Sequence, residues 1–389
     1  MTIHAVAIAA SLNKVRRQGF AEEYCMTAST TQPIDQRTAF FGDAVDRLLT
    51  VDMSARGLIG MLYNAARERN QDKSLSLSAA QIFHDALSGP NQRTAILSTG
   101  LPIRGWFDPA LAETDGPAGI ATLARALVVA YGAVPIVVCE ELMVPLHEAC
   151  CRAAGLVCTT LENIRRAEAS PDAVKGRFIP TVVVLGFPTD IDAARRRARE
   201  LIDDLKPAVL LSSERQGANE KGVYHYGLGE ANISSAMAKV ELLFEEATRR
   251  RIPTIGVGDG GNELGMGSIK DAVHKYVPYG KECRCPCKSG MAPDLKVDLL
   301  VAATVSNWGT WGIEACIAAL SAKPNALHSC EIEELVLNAC VAGGAIDGVT
   351  AYVNRDVDGV SFEAQLSLLR LLREIVTAHA APKKAGSHK

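Results

Sequence analysis

A surplus of charge of one sign is missing from this chain. Across 389 residues, 41 Lys and Arg stand against 44 Asp and Glu, a formal net charge of −3. That balance exerts no global pull on nucleic acid or an anionic membrane, so a polyanion would need a local basic patch. Long apolar runs are missing too: no stretch approaches the roughly 20 residues that span a bilayer. The first apolar run, in MTIHAVAIAASLNKVRR, has its basic residues behind it, the reverse of a secretory signal. Glycine (32) and proline (17) sit near average usage, which excludes collagen-like and Pro/Gly-rich disordered chains. No repeat of solenoid length is visible. Cysteine is odd in number, and its 11 residues are a small share of so long a chain. Cys139, Cys150, Cys151, Cys316 and Cys340 lie in apolar segments, where a free thiol packs as a small hydrophobe. The expectation is a reducing, cytoplasmic compartment rather than a disulfide framework.

What is present is an alternation of periods. Residues 36–87 are helical and charged. From 94 onward, short Val/Ile/Leu runs at 94–98, 134–139, 156–160, 180–185, 208–212, 254–257 and 299–303 alternate with helical segments. The longest of these helices are expected at 119–131, 142–154, 234–251, 309–320, 331–342 and 362–380. Continuous apolar strands separated by helices predict an α/β protein, a doubly wound, mostly parallel, Rossmann-like sheet with helices on both faces. The expected organisation is an N-terminal helical segment (1–90) packing on the core and an α/β domain (91–360), with room for two lobes divided near 170–180. A C-terminal helix and a disordered polar tail (361–389) complete it.

In such sheets ligands bind beyond the carboxyl ends of the strands, and the polar clusters fall there. Gly256–Gly267, GVGDGGNELGMG, places Asp259, Asn262 and Glu263 in one glycine-rich turn. Oxygen groups of that kind suit Mg2+, Mn2+ or a substrate ammonium, with Asp259 and Glu263 as the candidate metal ligands. The glycines include a G-x-G-x-x-G, but a carboxylate inside the turn would repel a pyrophosphate and no Gly-Lys-Ser/Thr follows, so no nucleotide is expected. Glu214 and Arg215 follow another strand. Arg215 could clamp a substrate carboxylate, and His225 nearby could shuttle a proton or bind a metal; a surface salt bridge and a satisfied histidine are the plain alternatives. Glu113, Thr114 and Asp115 precede a helix, where capping by Thr114 or Asp115 explains much, and the two carboxylates could equally hold a cation or position an amine. Ser306, Asn307 and Trp308 offer a hydroxyl, an amide and an aromatic wall at a further helix start, suited to substrate recognition. No G-x-S-x-G elbow accompanies that serine, which argues against an α/β-hydrolase. Cys283, Cys285 and Cys287 form a C-x-C-P-C run that lacks the second pair a zinc site normally shows. Asp347-Gly348 and Asp358-Gly359 read as turns.

The segments ERQGANEKGVYHYGLG, TIGVGDGGNELGMG and AATVSNWGTWGIEA, with TGLPIRGWFDPALAETDGPAGIATLARAL before them, resemble the C-terminal domain of the D-glutamate cyclase family. The likeness spans roughly residues 49–358. It implies dehydrating ring closure of an acidic amino acid, D-glutamate to 5-oxo-D-proline and water. On that reading Asp259 and Glu263 hold a divalent cation, and Arg215 binds the α-carboxylate. Asn262 or Asn307 holds the forming oxyanion, Glu214 or Asp115 takes the ammonium proton, and His225 is a reserve acid/base. Two other readings stay open: ring opening of a related lactam or cyclic ureide by an amidohydrolase or hydratase, and a non-catalytic module that binds an acidic amino acid. The expected partner is therefore a small molecule, with no nucleic acid or membrane and with homo-oligomerisation open. All of this requires Asp259, Arg215 and Asn307 to share one cavity.

Overall fold

The apolar runs form seven parallel strands: β1 (Thr94–Ser98), β2 (Val134–Glu140), β3 (Val157–Cys158), β4 (Thr181–Phe187), β5 (Val209–Ser213), β6 (Thr254–Gly258) and β7 (Leu299–Ala302). They lie in one sheet in the order β3-β4-β2-β1-β5-β6-β7. The computed structural model describes residues 34–381 except 54, 90–93, 171–178, 228 and 230–232. Expectations for the extreme N-terminus, most of the 170–180 linker and the C-terminal tail lie outside these residues. From Ile34 the described residues belong to one compact unit. The α/β reading, with a helical segment ahead of it, is what the fold contains.

Twelve α-helices surround the sheet among the described residues. The first three are α1 (Gln36–Leu49), α2 (Ile59–Arg69) and α3 (Leu75–Leu87), and α4 (Pro117–Tyr131) and α5 (Val144–Ala153) flank β2. Then come α6 (Leu161–Ala169), α7 (Ile191–Leu205), α8 (Glu241–Arg249) and α9 (Lys270–Tyr276). The last three are α10 (Ser306–Leu320), α11 (Cys330–Ala342) and α12 (Phe362–Ala380). None is long and apolar enough to cross a membrane. The most enclosed is α10, buried at every residue from Ser306 to Ala318 and packed against α1, α3, α4 and α12. The N-terminal helices are stitched to one another through Asp46 on α1. Its buried carboxylate accepts the first amides of α3, Leu75 N at 2.7 Å and Ser76 N at 3.1 Å, which no helical carbonyl could reach.

Where the elements differ from expectation, tertiary hydrogen bonds decide. The helix expected at 234–251 begins only at Glu241, because Ala238 donates its amide to Glu140 and gives its carbonyl to Arg215. The helix expected at 309 begins at Ser306, because the Asp115 carboxylate accepts its first amides from outside. The strand expected at 156–160 pairs only over Val157–Cys158. Charged α6, absent from the sequence reading, is started by the Thr160 hydroxyl accepting from Asn163 N.

The strand order fixes where a ligand can enter. From β1 the chain goes to β2, on to the edge at β3 and back to β4 between them, then crosses to lay β5 on the other side of β1 and continues outward to β6 and β7. The β1/β5 boundary is thus the topological switch point, where connections leave in opposite directions and open a crevice at the strand ends.

Candidate active site

Glu214 is the first residue beyond β5 and sits in that crevice. Its backbone has a φ of 42°, a left-handed conformation that a non-glycine residue adopts at a cost of about 1–3 kcal/mol and that clusters at functional sites. The bend aims the carboxyl inward, where Oε2 accepts the Ser306 hydroxyl at 2.7 Å.

Two helices point their N-termini at the same place and exchange caps. Asp115, just before α4, accepts from Asn307 N (2.7 Å) and Ser306 N (2.8 Å) on α10. Asn307 in turn accepts from Gly116 N and Gly119 N, both at 2.8 Å, at the start of α4. Only glycine permits this approach at 119, since a Cβ there would lie 2.6 Å from Asn307 Oδ1. The β6 turn is closed by Glu263, whose carboxylate accepts from the amides of Asp259 (3.1 Å), Gly260 (2.6 Å) and Gly261 (2.8 Å). Gly261 makes the turn possible with a φ of 98°.

These loops wall a cavity of about 310 Å3, at the small end of ligand pockets (about 300–1,000 Å3) and suited to a molecule of amino-acid size. Glu113, Glu214, Asp259, Glu263 and Asp358 supply carboxyls, Arg56 and Arg104 supply guanidiniums, and Leu101, Ile103, Tyr226 and Val349 supply apolar wall. A larger hollow of about 830 Å3 between α2 and α9 lies away from the switch point and gathers no such set of acids. Arg56 is committed: it donates to Asp259 Oδ2 (2.7 Å), Asp358 Oδ2 (3.0 Å) and the Thr304 carbonyl (3.1 Å). Arg104 is not. Its buried Nη1 makes no hydrogen bond among the described residues, and neither do Glu113 Oε1 and Gln216 Oε1 on the same cavity. Buried polar atoms without partners are costly, and several facing one cavity mark a place where a polar ligand completes the set.

Burial and mutual repulsion dominate the acids. Burial first, and then neighbouring carboxylates, pushes Glu113, Glu214 and Asp358 well above the ordinary carboxylate range. Asp115 is pushed up to about 7 by burial and by Asp259, against the amides it caps. Burial and Asp259 likewise raise Glu263 to about 8. Asp259 alone is lowered, because the Arg56 guanidinium and hydrogen bonds from Asp358 and Glu263 outweigh its own burial. The cluster therefore holds protons near neutrality and would release them to a bound cation. Oxygens of Asp115, Glu214 and Asp259 lie within 4.8 Å of one another and could hold a metal ion. Such a hard-oxygen set fits Mg2+ or Mn2+.

The residues singled out in the sequence separate into three groups. Glu214, Asp259, Asn262 and Glu263 line the cavity, and Asp115 joins Glu214 and Asp259 in the metal-capable set. Glu263 is not in that set: its oxygens accept the turn amides, and it is Asp115 and Glu214 whose oxygens lie beside Asp259. Behind the wall, Ser306 braces Glu214, Thr114 donates to the Asp356 carbonyl at 2.7 Å, and Asn307 is spent on capping. Its Nδ2 donates one hydrogen to the Thr114 carbonyl at 3.1 Å, and Asn307 does not line the cavity. The remaining three lie elsewhere. Trp308 is a core residue whose indole N–H reaches Gln365. Arg215 is 1% exposed and saturated, donating to both Glu140 oxygens (3.0 and 2.7 Å) and to the carbonyls of Thr99, Gly100 and Ala238. It cannot clamp a substrate without abandoning a buried carboxylate. His225 turns toward Cys285 Sγ at 3.1 Å, away from the acids. The shared cavity thus takes in Asp259 but neither Arg215 nor Asn307. Arg56, Arg104, Glu113, Gln216 and Asp358 complete it. Arg104 and Glu113 lie inside the loop already quoted, and Asp358 was read as a turn.

A family model described as D-glutamate cyclase-like, C-terminal, matches residues 45–373. The human protein named D-glutamate cyclase, mitochondrial, is 28% identical over 326 residues, which cover 77% of this chain and 48% of the relative. The chain spans about half the length of the curated relative it matches.

Proposed function

Since this chain belongs to the D-glutamate cyclase-like family, we propose that it is a lyase that closes an acidic amino acid into its five-membered lactam, D-glutamate to 5-oxo-D-proline and water, or runs the reverse. The observation that carries this reading is the acid-lined cavity at the switch point with the unpartnered Arg104 guanidinium in its wall. A divalent cation held by Asp115, Glu214 and Asp259 would supply a Lewis acid for the substrate's side-chain carboxylate.

The chain's own groups account for the rest. Arg104 binds the α-carboxylate by a charge-assisted hydrogen bond. The ammonium lies among the acids that line the cavity. Leu101, Ile103 and Tyr226 pack the methylene stem and exclude water. Ring closure forms a C–N bond and breaks a C–O bond. The two protons that the ammonium loses leave with the carboxylate oxygen as water, so no co-reactant is needed. In the cation-free site Glu214, held protonated by burial, gives a proton to the departing oxygen and recovers one from the amine. A positioned acid of this kind contributes about 10²–10⁴ in rate. Holding amine and carboxyl in reach within one molecule replaces about 7–11 kcal/mol of barrier, which removes any need for a nucleotide.

The test is to follow D- and L-glutamate and both 5-oxoprolines by NMR, with and without Mn2+, at high protein concentration. Lactam formation or opening that disappears in Glu214→Gln, with the fold retained, supports the reading. Tight binding of an acidic amino acid without product would leave a sensing module in its place.

A further inference from the structure

The cysteine run on the far side of His225 takes no part in the chemistry above, and it is not a loose loop. Cys283 Sγ lies 3.3 Å from both Cys285 Sγ and Cys287 Sγ. His225 Nε2 lies 3.1 Å from Cys285 Sγ and 3.6 Å from Cys287 Sγ. All four donor atoms fall within 4.8 Å of one another. A zinc ion with Zn–S near 2.3 Å and Zn–N near 2.0 Å sets tetrahedron edges of about 3.5–3.8 Å. The four atoms already occupy corners of nearly that figure. The second ligand pair that the C-x-C-P-C run lacks in sequence is replaced by one histidine from 58 positions earlier (283 − 225).

We propose that His225, Cys283, Cys285 and Cys287 form a structural zinc site. Three features beyond the spacing support it. His225, Cys283 and Cys285 are nearly inaccessible, at 1%, 2% and 4% exposed, so the site offers no open coordination position and is of the closed, structural kind. The outer sulfur has a donor suited to a thiolate: Asn219 Nδ2 reaches Cys287 Sγ at 3.4 Å, while Lys221 Nζ holds the Cys287 backbone through its carbonyl at 2.7 Å. The described cysteines are also free thiols, so no disulfide competes for these sulfurs. Soft sulfur with one imidazole selects zinc over the hard cations that the carboxylates suit.

The site has a mechanical consequence. His225 lies on the β5–α8 connection and the cysteines on the α9–β7 connection, so the ion would add a metal fastening to two loops already joined by hydrogen bonds such as Asn219 Nδ2 to the Gly290 carbonyl at 2.7 Å. The His225 carbonyl accepts from Asn262 Nδ2 at 3.0 Å, and both Asn262 and Tyr226 line the acidic cavity. Zinc would thereby fix one wall of the pocket from behind.

The test does not depend on the proposed reaction. The full chain is purified under reducing, chelator-free conditions, and its metal is measured by plasma mass spectrometry. Stoichiometric zinc is expected, lost with a fall in Tm of several degrees in His225→Ala and retained in His225→Cys, which restores a four-donor soft set. Cobalt exchanged into the protein should show tetrahedral ligand-field bands with thiolate charge transfer, absent in His225→Ala. A native chain that binds no zinc on titration and whose three thiols react freely with a disulfide reagent overturns the assignment, as does a disulfide among them or stoichiometric iron. Loss of turnover with zinc still bound would count against the carboxylate chemistry alone.

Discussion

Replacing Arg215 by Met separates a structural arginine from a substrate-binding one. The guanidinium and its partner Glu140 are 1% and 4% exposed at the side chain and meet through two oxygens. Removing the arginine leaves Glu140 a buried carboxylate with only the Ala238 amide at 3.0 Å, a loss that typically costs about 3–5 kcal/mol. The carbonyls of Thr99, Gly100 and Ala238 lose a donor as well, so the upper part of that range is expected. Against a total stability of about 5–15 kcal/mol, the protein should still fold at low temperature, with a midpoint in urea shifted far down. The strands tied together are β2 and β5, on either side of β1, so the damage is to the switch point itself. The assay is urea unfolding by circular dichroism on the wild type, Arg215→Met, Glu140→Leu and the double variant. Apolar replacement of both partners should recover much of the loss, because a buried pair is worth little more than a well-packed apolar core. An Arg215→Met variant with unchanged stability and a raised KM would refute the reasoning and return Arg215 to the substrate.

Arg104→Met should show the opposite pattern. With stability within about 0.5 kcal/mol of wild type, the loss of a charge-assisted hydrogen bond worth about 1.5–3 kcal/mol should lower kcat/KM about 10–100-fold, measured by progress curves at several substrate concentrations. The raised acids make stability fall with pH. Asp115 moves from 3.8 to about 7 and Glu263 from 4.5 to about 8 on folding, so the native state holds protons the unfolded chain has lost, and their contribution declines from about pH 4 until pH passes 7–8. Thermal melts from pH 5.5 to 8.5 should show a falling Tm, and Mn2+ should restore part of it only at the alkaline end. His328 adds a second slope of the same sign. Burial alone would lower it, but the Glu314 and Glu333 contacts at 2.7 and 3.0 Å raise it to about 9 from 6.5. Its contribution is full below pH 6.5 and lost as pH rises through 9, and His328→Gln should flatten that part of the curve while leaving the Mn2+ effect intact.

The sheet was legible because Val182–Val184 and Val209–Leu211 are buried runs that only a parallel, doubly covered strand accommodates. The strand-end rule then pointed to Glu214 and Asp259. What the sequence could not convey is which charged group spends itself on scaffolding. Arg215 and Arg104 look alike as letters, and Glu140, the residue that neutralises Arg215, is 75 positions away. Asn307 looks like a ligand group, yet its amide oxygen caps the other helix. Asp358 sits in an Asp-Gly pair indistinguishable from the turn at Asp347, and only the chain's return past α11 brings it to within 3.0 Å of Arg56. His225 carried no spacing signal, since its cysteines come from another loop.

The charge of the cavity constrains what can enter it. A glutamate carries two carboxylates and one ammonium, so with the acids ionised it would meet a wall of like charge. Arg56 is already shared between Asp259 and Asp358, which leaves Arg104 as the cation not tied to an acid among those lining the cavity. Binding therefore requires either that Glu113, Glu214 and Asp358 keep their protons, as burial makes them do, or that a divalent cation at Asp115, Glu214 and Asp259 supplies the compensating charge. The two routes predict opposite proton flow. Substrate binding to the protonated site should leave the proton count nearly unchanged at acid pH and take protons up as the pH rises, whereas Mn2+ binding should release them. Calorimetry in buffers of different ionisation enthalpy separates these cases. Proton release on Mn2+ binding that vanishes in Glu214→Gln would identify that residue as the group on which metal, proton and substrate compete, and release unchanged in that variant would remove Glu214 from the centre of the mechanism.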